Sequence, residues 1–245
     1  MPATRARVLF VYFTYTQQNP RVVEAMADAL RERGCEVQQA PIEFTDKRYA
    51  ERFSRFPLRH PWLDVLGMCL PQIRRATGEI RIPDVAREGD YDLVCFGSPT
   101  WLFTTAMPVR SYLKSDEAGR VLADKPFAAF VTCRRYWSIN LKEVKKLGTK
   151  QGGEWLGGIR FNYEGRQVRS FMSLISYLGK GEQSERYHGV KIPPTNLKPD
   201  YVEQAREFAT GLADRLIADV DSESPTSVGA QNGQPTGTTK VSAHE

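Results

Sequence analysis

The sequence lacks several features that define large classes of protein. No apolar run approaches the ~20 residues that a membrane-spanning helix needs, and no secretory signal segment precedes the first strand-like run. The four cysteines lie far apart without a Cys-x-x-Cys pair, and there are only three histidines. A disulfide framework and a zinc site are therefore not expected, and we predict a cytoplasmic protein with reduced thiols.

Two common nucleotide-binding motifs are also missing. The chain contains neither Gly-x-x-x-x-Gly-Lys-Ser/Thr nor Gly-x-Gly-x-x-Gly. Their absence argues against a nucleoside triphosphatase and against a Rossmann dehydrogenase.

The charge is positive and unevenly distributed. The formal net charge is +5, and residues 221–245 carry three acidic and one basic side chain, so the first 220 residues carry +7. Such a surface attracts an acidic partner, an anionic membrane, a nucleic acid or a phosphorylated cosubstrate. A solvated face with a positive bias is the alternative, and it stays open. No nucleic-acid-binding motif accompanies the charge, so we expect no nucleic-acid partner.

Buried-type strands and amphipathic helices alternate along the chain, which is typical of an α/β protein. Strands are predicted at Val8–Phe13, Glu36–Ile42, Tyr91–Gly97, Phe127–Cys133 and Trp155–Asn162. Helices are predicted at Arg21–Arg33, Pro108–Lys114, Ser138–Lys150 and Pro199–Val220. Because right-handed crossovers join strands of this kind, we predict a doubly wound parallel sheet of five strands.

The domain comprises residues 1–220, with two additions that exceed a minimal crossover. The first is a hydrophobic insertion, 43–90, and the second is an additional helical segment, 166–194. Each could form a lid, a dimer surface or a membrane-touching patch, or pack as extra helices on the domain itself. Residues 221–245 have almost no large apolar side chains, so we predict a disordered tail.

A polar loop, Thr14–Asn19, follows the first strand and opens a helix. Backbone N–H groups and the helix dipole make a helix start a natural anion site. Thr14, Thr16 and Asn19 add side-chain donors. The loop predicts a phosphate site, and the alternative is a polar turn with an Asn or Thr cap.

Two further loops follow the third and fourth strands, at the sheet edge where open α/β sheets bind ligands. In Gly97–Phe103, Trp101 can stack on a flat ring, or else pack beneath a neighbouring loop. In Thr132–Trp137, Tyr136 or Trp137 can cover the ring's other face, and an arginine can meet a carbonyl edge or a phosphate. The three loops together predict a ligand with a phosphate end and an aromatic end.

These segments resemble the flavodoxin-like FMN-binding superfamily over roughly residues 7–165. Thr14–Asn19 stands where that family has its phosphate loop, commonly Ser/Thr-x-Thr-Gly-Asn/x-Thr. Gly97–Trp101 and Pro108–Leu113 resemble the Gly-Thr-Pro-x-Trp…Pro-Pro-Val-Arg-x-Phe-Leu pattern of NAD(P)H-linked members. The resemblance implies strand order 2-1-3-4-5 with a helical insertion between strands 2 and 3. The chain departs from the pattern at Gln17, where glycine is expected, and at Arg134 and Arg135, which replace small residues.

The resemblance also implies a function. It implies an FMN-dependent oxidoreductase with NAD(P)H as cosubstrate, in which the flavin carries the chemistry and no side chain acts as nucleophile. The substrate is expected to be bulky and apolar or aromatic, of the quinone or alkylresorcinol type. The residues expected to hold FMN are Thr14, Thr16, Gln17, Gln18, Asn19, Pro99, Thr100, Trp101, Leu102, Phe103, Thr132, Cys133, Arg134, Tyr136 and Trp137.

A narrower resemblance is to flavodoxin-fold proteins labelled dialkylresorcinol condensing enzymes. It rests on Thr132–Trp137, on the aromatic and proline-rich insertion and on Arg169–Leu178. Those proteins work with ketosynthases on long-chain products. Two alternatives stay open: an electron carrier with a redox partner protein, and, because of the departures at Gln17 and Arg134, a flavin-free scaffold that partners a lipid- or polyketide-synthesis enzyme. A homodimer and contact with a membrane surface also stay open.

Overall fold

The computed structural model describes residues 5–49 and 57–223. Five parallel strands form its central sheet in the order β2-β1-β3-β4-β5. This is the flavodoxin-like order of a doubly wound sheet, so the predicted fold is confirmed. The strands are β1 (Arg7–Tyr12), β2 (Glu36–Pro41), β3 (Leu93–Trp101), β4 (Pro126–Cys133) and β5 (Glu154–Asn162). A short sixth strand, Thr104–Thr105, pairs antiparallel with the end of β3 and was not predicted.

Helices cover both faces of the sheet, which explains why the inner strands are apolar throughout. Successive side chains of β1 alternate between two separate cores, with Phe10 in one and Leu9 in the other. The first core is covered by α1 (Asn19–Glu32) and α8 (Tyr201–Glu223). The second is covered by α4 (Met107–Tyr112), α5 (Asp116–Leu122) and α6 (Trp137–Lys150).

The predicted insertion 43–90 forms a small subdomain at the edge of the sheet. Its strands Glu43–Phe44 and Ile80–Arg81 pair with each other, and a 3-10 helix spans Asp84–Ala86. The described residues between the strands include two short helices, α2 (Pro61–Gly67) and α3 (Cys69–Ile73). Phe53 and Phe56, which contribute to its predicted apolar character, lie outside the described residues.

The second addition contains α7 (Gln167–Lys180) and a two-stranded hairpin formed by Arg186–Tyr187 and Val190–Lys191. It contacts the first addition directly. The backbone N–H of Leu58 donates to the carbonyl of Leu178 at 2.6 Å. The Trp62 ring meets Phe171 edge to face with centroids 5.6 Å apart, and its Nε1 donates to the Tyr187 hydroxyl at 3.0 Å. The two additions were predicted separately, and the structure joins them over one end of the sheet.

Several boundaries differ from the sequence prediction. Helix α6 begins at Trp137, one residue earlier than predicted. Helix α8 continues to Glu223, so residues 221–223 are helical although they were assigned to the disordered tail. The rest of that tail, 224–245, lies outside the described residues. Among the helices that the structure describes, none is long and apolar enough to cross a membrane.

Candidate functional site

A cleft of about 280 Å³ lies at the carboxyl ends of the strands. The loops after β1, β3 and β4 form its floor, and α2, α3 and α7 from the two additions form its walls. Twelve of the fifteen residues predicted to hold a cofactor line this cleft, and their role in binding stays a prediction. They are Thr14, Thr16, Asn19, Pro99, Thr100, Trp101, Leu102, Phe103, Thr132, Cys133, Arg134 and Tyr136.

The other three predicted residues lie elsewhere. Gln17 is exposed. Gln18 is buried, and its side chain bridges the loop to the chain before α8, donating to the Thr16 carbonyl at 3.3 Å and accepting from the Leu197 N–H at 3.4 Å. Trp137 packs beneath the guanidinium of Arg160, 4.4 Å from the ring centroid. In this structure these three side chains do not line the cleft.

The loop after β1 presents unused backbone donors at the start of α1. Among the described residues, the N–H groups of Thr14, Thr16 and Gln17 donate to no protein acceptor. Asn19 offers less than expected, because its Nδ2 donates to the Phe13 carbonyl at 2.7 Å and its Oδ1 accepts from the Thr132 hydroxyl at 2.8 Å. Asn19 therefore holds the loop against β4, and the backbone N–H groups remain as the available donors of the loop.

Each of the three loops contains one non-glycine residue in the left-handed region. The φ angles are +56° at Gln17, +57° at Leu102 and +62° at Tyr136. A left-handed conformation costs such residues about 1–2 kcal/mol, and strained residues of this kind concentrate at functional sites. The value at Gln17 is consistent with the glycine expected at this position, because glycine adopts this backbone conformation at no steric cost.

The aromatic side chains of the cleft contact one another edge to face. The Trp101 ring lies 5.5 Å from Phe13 and 6.3 Å from Phe44, centroid to centroid. Phe103 and Tyr136, from the loops after β3 and β4, lie 4.8 Å apart at an interplanar angle of 78°. Trp101 is thus partly packed beneath its neighbours, as the alternative interpretation held, and it still lines the cleft.

A buried arginine anchors the floor of the cleft. Arg110 is fully buried and its Nε donates to Glu143 at 2.9 Å, while its Nη1 donates to the Gln72 side chain at 2.9 Å. Gln72 lines the cleft, and its Nε2 donates to the carbonyls of Trp101 and Thr105 at 3.4 and 3.3 Å. The predicted Pro-Val-Arg segment therefore positions the Trp101 loop from below.

Burial perturbs three titratable groups that line the cleft. It raises the pKa of the Tyr15 hydroxyl and raises the pKa of the Cys133 thiol to about 11. Burial also lowers the pKa of the Arg134 guanidinium. The Cys133 thiol donates to the Asn162 side chain at 3.3 Å. Such a thiol is not a nucleophile near neutral pH. Within the described residues, no cluster of side chains is suited to a metal ion.

Ten lining residues were not among the predicted ones. Tyr15 and Arg135 lie inside predicted loops, and Tyr163 directly follows the fifth strand, so the edge-of-sheet rule could have found them. The remainder come from the two additions, and only contacts between distant segments bring them to the cleft. These are Val65, Met68, Gln72, Gln167, Phe171, Leu174 and Leu178.

No family model matches the chain, and no curated protein sequence matches it. Solved structures are similar to it. A flavoprotein in complex with FMN from Lactobacillus acidophilus NCFM has 16% identity and a TM-score of 0.49, covering 63% of this chain and 93% of that one. Oxidised flavodoxin 1 from Bacillus cereus has 11% identity and a TM-score of 0.48, covering 85% and 98%.

A third similar structure is the rubredoxin oxygen:oxidoreductase of Desulfovibrio gigas, with 15% identity and a TM-score of 0.48, covering 88% of this chain and 38% of that one. At these identities and TM-scores, the similarities do not indicate a ligand or an activity for this chain. The assignment of the fold rests on the strand order.

Proposed function

We propose that the chain is an FMN-binding flavoprotein with oxidoreductase activity. The observation that carries the proposal is the combination, in one cleft, of unused N–H groups at the start of α1 and an aromatic wall on the loops after β3 and β4. A phosphate fits the first and a flat ring fits the second. The cytoplasmic setting expected from the sequence belongs to this proposal.

The residues present suit the two ends of FMN. The backbone of Thr14, Thr16 and Gln17 would hold the phosphate. The segments Pro99–Phe103 and Thr132–Tyr136 would hold the ring and exclude water from it. When bound, FMN supplies hydride and single-electron transfer. The protein's part is to bind the cofactor, to orient it and to keep the site dry.

The wall opposite the loops supports a bulky apolar substrate. Val65, Met68, Phe171, Leu174 and Leu178 line it, all from the two additions. An apolar wall next to a redox cofactor suits a quinone or an alkyl-substituted ring. We include NAD(P)H as the hydride donor in the proposal, and the net charge of +5 favours approach of such an anionic cosubstrate.

The test is titration of flavin-free protein with FMN. We expect one FMN per chain, a change in the flavin absorbance band and a rise in melting temperature. With FMN bound, NADH or NADPH oxidation is then followed in the presence and absence of a hydrophobic quinone. No spectral change and no thermal shift with FMN would overturn the proposal. Binding without NAD(P)H oxidation, together with reduction by a partner reductase, would favour the electron carrier.

One observation favours the flavin-free scaffold as a second candidate. The Phe103 and Tyr136 rings touch each other, and they must separate before a ring can lie between their loops. Phe103→Ala removes this contact from a side chain that is 42% exposed, so the fold should tolerate it. If neither the wild type nor this variant binds FMN, the scaffold explains the cleft better. If FMN binds to both, the contact is a gate that the ligand opens.

The exposed side of the first addition supports the proposals of a dimer or a membrane contact. Leu63, Leu66, Leu70 and Ile73 are each more than half exposed. An apolar face of this kind on a protein surface marks an interaction site. Liposome co-sedimentation at low and high salt, beside sedimentation of the protein alone, separates the two.

A further inference from the structure

Arg134 is the first residue after β4, and its side chain turns into the protein beside the cleft. Its Nε donates to both the carbonyl and the hydroxyl of Ser170 in α7, each at 3.0 Å. Its guanidinium carbon lies 4.0 Å from the centroid of the Tyr163 ring. These contacts hold the guanidinium over the ring.

One end of this guanidinium has no partner. The Nη2 atom of Arg134 is buried and forms no hydrogen bond within the described residues. Among the described residues, no carboxylate pairs with this guanidinium. A buried charged donor without a partner is costly, so it calls for an explanation, such as a ligand that supplies the missing acceptor.

The neighbours of Arg134 connect it to the loop that opens α1. The Tyr163 hydroxyl lies 3.2 Å from the Thr16 Oγ1. Arg134, Tyr163, Thr14 and Thr16 all line the same cleft. The unpaired guanidinium end and the unused N–H groups of the loop therefore belong to one polar corner of the site, which contains donors and no carboxylate.

We propose that Arg134 provides the positive charge for the phosphate of a ligand held by the loop after β1. This inference rests on the proposed function, since it takes the ligand to be FMN. Backbone N–H groups carry only partial charges, whereas a phosphate monoester carries nearly two negative charges near neutral pH. A guanidinium beside the loop supplies a full charge and a charge-assisted hydrogen bond.

Arg135 provides a matched control. It is the next residue, it is exposed, and its Nη1 donates to the Gln167 side chain at 2.7 Å. Arg135 has the same charge on the same loop but has a partner within the protein. A general effect of net charge on FMN binding would be the same for substitution of either arginine. Loss of a phosphate contact would follow only from substitution of Arg134.

The experiment compares FMN with riboflavin, which lacks the phosphate, by fluorescence titration of the wild type, Arg134→Met and Arg135→Met. We expect Arg134→Met to weaken FMN binding by about 10- to 100-fold, the range for a hydrogen bond to a charged group. Riboflavin binding to Arg134→Met should change less than about threefold. Arg135→Met should change FMN and riboflavin binding by the same factor, because Arg135 lines the cleft within the segment that would hold the ring. Equal losses of FMN and riboflavin binding for Arg134→Met, or no loss of FMN binding, would overturn the inference.

A second measurement separates this inference from the proposed function and guards against a variant that does not fold. Inorganic phosphate should raise the melting temperature of the wild type and of Arg135→Met, and should do so much less for Arg134→Met or Arg134→Lys, because lysine cannot reproduce the planar fork. If the wild type binds no FMN yet shows this pattern with phosphate, the anion site stands and the flavin proposal fails. If FMN binds to the wild type and phosphate protects every variant equally, the role of Arg134 is refuted.

Discussion

Replacing Arg110 by methionine tests whether the buried arginine holds the floor of the cleft. The side chain is 0% exposed and donates five hydrogen bonds of 2.7–3.0 Å. Methionine fills much of the same volume but donates none of them. The variant therefore isolates the loss of charge and hydrogen bonds from the loss of packing.

The expected cost follows from what the change leaves behind. Glu143, 5% exposed, would keep the Thr105 N–H at 3.1 Å and the Arg75 guanidinium at 3.9 Å. Removing one partner of a buried pair costs about 3–5 kcal/mol, because the other charge stays buried. The Gln72 amide oxygen also loses its donor, which adds to the cost. We expect Arg110→Met to lower the free energy of unfolding by about 3–5 kcal/mol.

Arg75→Met is the matched control, because Arg75 approaches the same Glu143 carboxylate from a position that is 52% exposed. Its cost should stay below about 1 kcal/mol, as for other solvent-exposed ion pairs. The double variant Arg110→Met with Glu143→Gln should cost less than the sum of the single changes, by about 0.5–3 kcal/mol. This coupling arises because the second change removes the charge that the first had left unpaired.

The assay is urea denaturation at pH 7 followed by circular dichroism, with the denaturant dependence compared between variants. A cost for Arg110→Met no greater than that for Arg75→Met would refute the reasoning. So would strict additivity in the double variant, which would mean that Arg110 and Glu143 act independently.

Three further predictions concern the loops and the insertion. Gln17→Gly should raise stability by about 0.5–1 kcal/mol, because relief of the left-handed strain at φ +56° exceeds the added entropy of the unfolded chain. Gly97→Ala should lower stability by about 1–3 kcal/mol, since its new Cβ would meet the Phe130 ring and lie 2.8 Å from the Tyr12 Cβ. Hydrogen bonds from the Arg48 side chain, and from backbone N–H groups, lower the pKa of Asp46 to about 2. The stability that Asp46 contributes should therefore be complete above about pH 4 and should be lost as the pH falls towards 2.

Each of these has a control. Gln17→Ala should have no higher melting temperature than wild type, because alanine keeps the cost of the left-handed backbone. Gly211→Ala, in α8 with open space around its new Cβ, should not destabilise the protein as Gly97→Ala does. Melting temperatures of Asp46→Asn and wild type should converge as the pH falls to about 2, whereas Asp84→Asn, at a carboxylate 98% exposed, should follow wild type throughout. A constant gap between Asp46→Asn and wild type from pH 2 to 7 would contradict the assigned pKa.

The sheet could be predicted because its signal is local. The three inner strands are apolar runs of the length of a buried strand, and the helices between the strands show a 3.6-residue period. Their alternation restricts the topology to parallel crossovers. The two-residue strand Thr104–Thr105 escaped prediction, because a segment of this length has no periodicity to detect.

The site was predicted in part, and the errors have a common cause. Twelve loop residues reach the cleft because the carboxyl ends of neighbouring strands meet at one edge. Gln17 and Trp137 do not line it, since side-chain direction depends on the local backbone, here a left-handed residue and the first residue of α6. The donor role expected of Asn19 was overestimated for a similar reason. Both polar atoms of its side chain are used within the protein.

The sequence by itself therefore determined the alternation of strands and helices, the loops at the edge of the sheet and the two places where the chain exceeds a minimal fold, while the strand order was implied by the resemblance to a known family. Only the tertiary structure decided that the two additions meet above those loops, that Gln72 joins Arg110 beneath them, and that Arg134 keeps one unpaired donor beside Thr16. The physical reason is how far apart along the chain the interacting residues are. Periodicity and loop composition depend on neighbouring residues, whereas the walls of a cleft and the pairing of a buried charge depend on contacts between residues far apart in the chain.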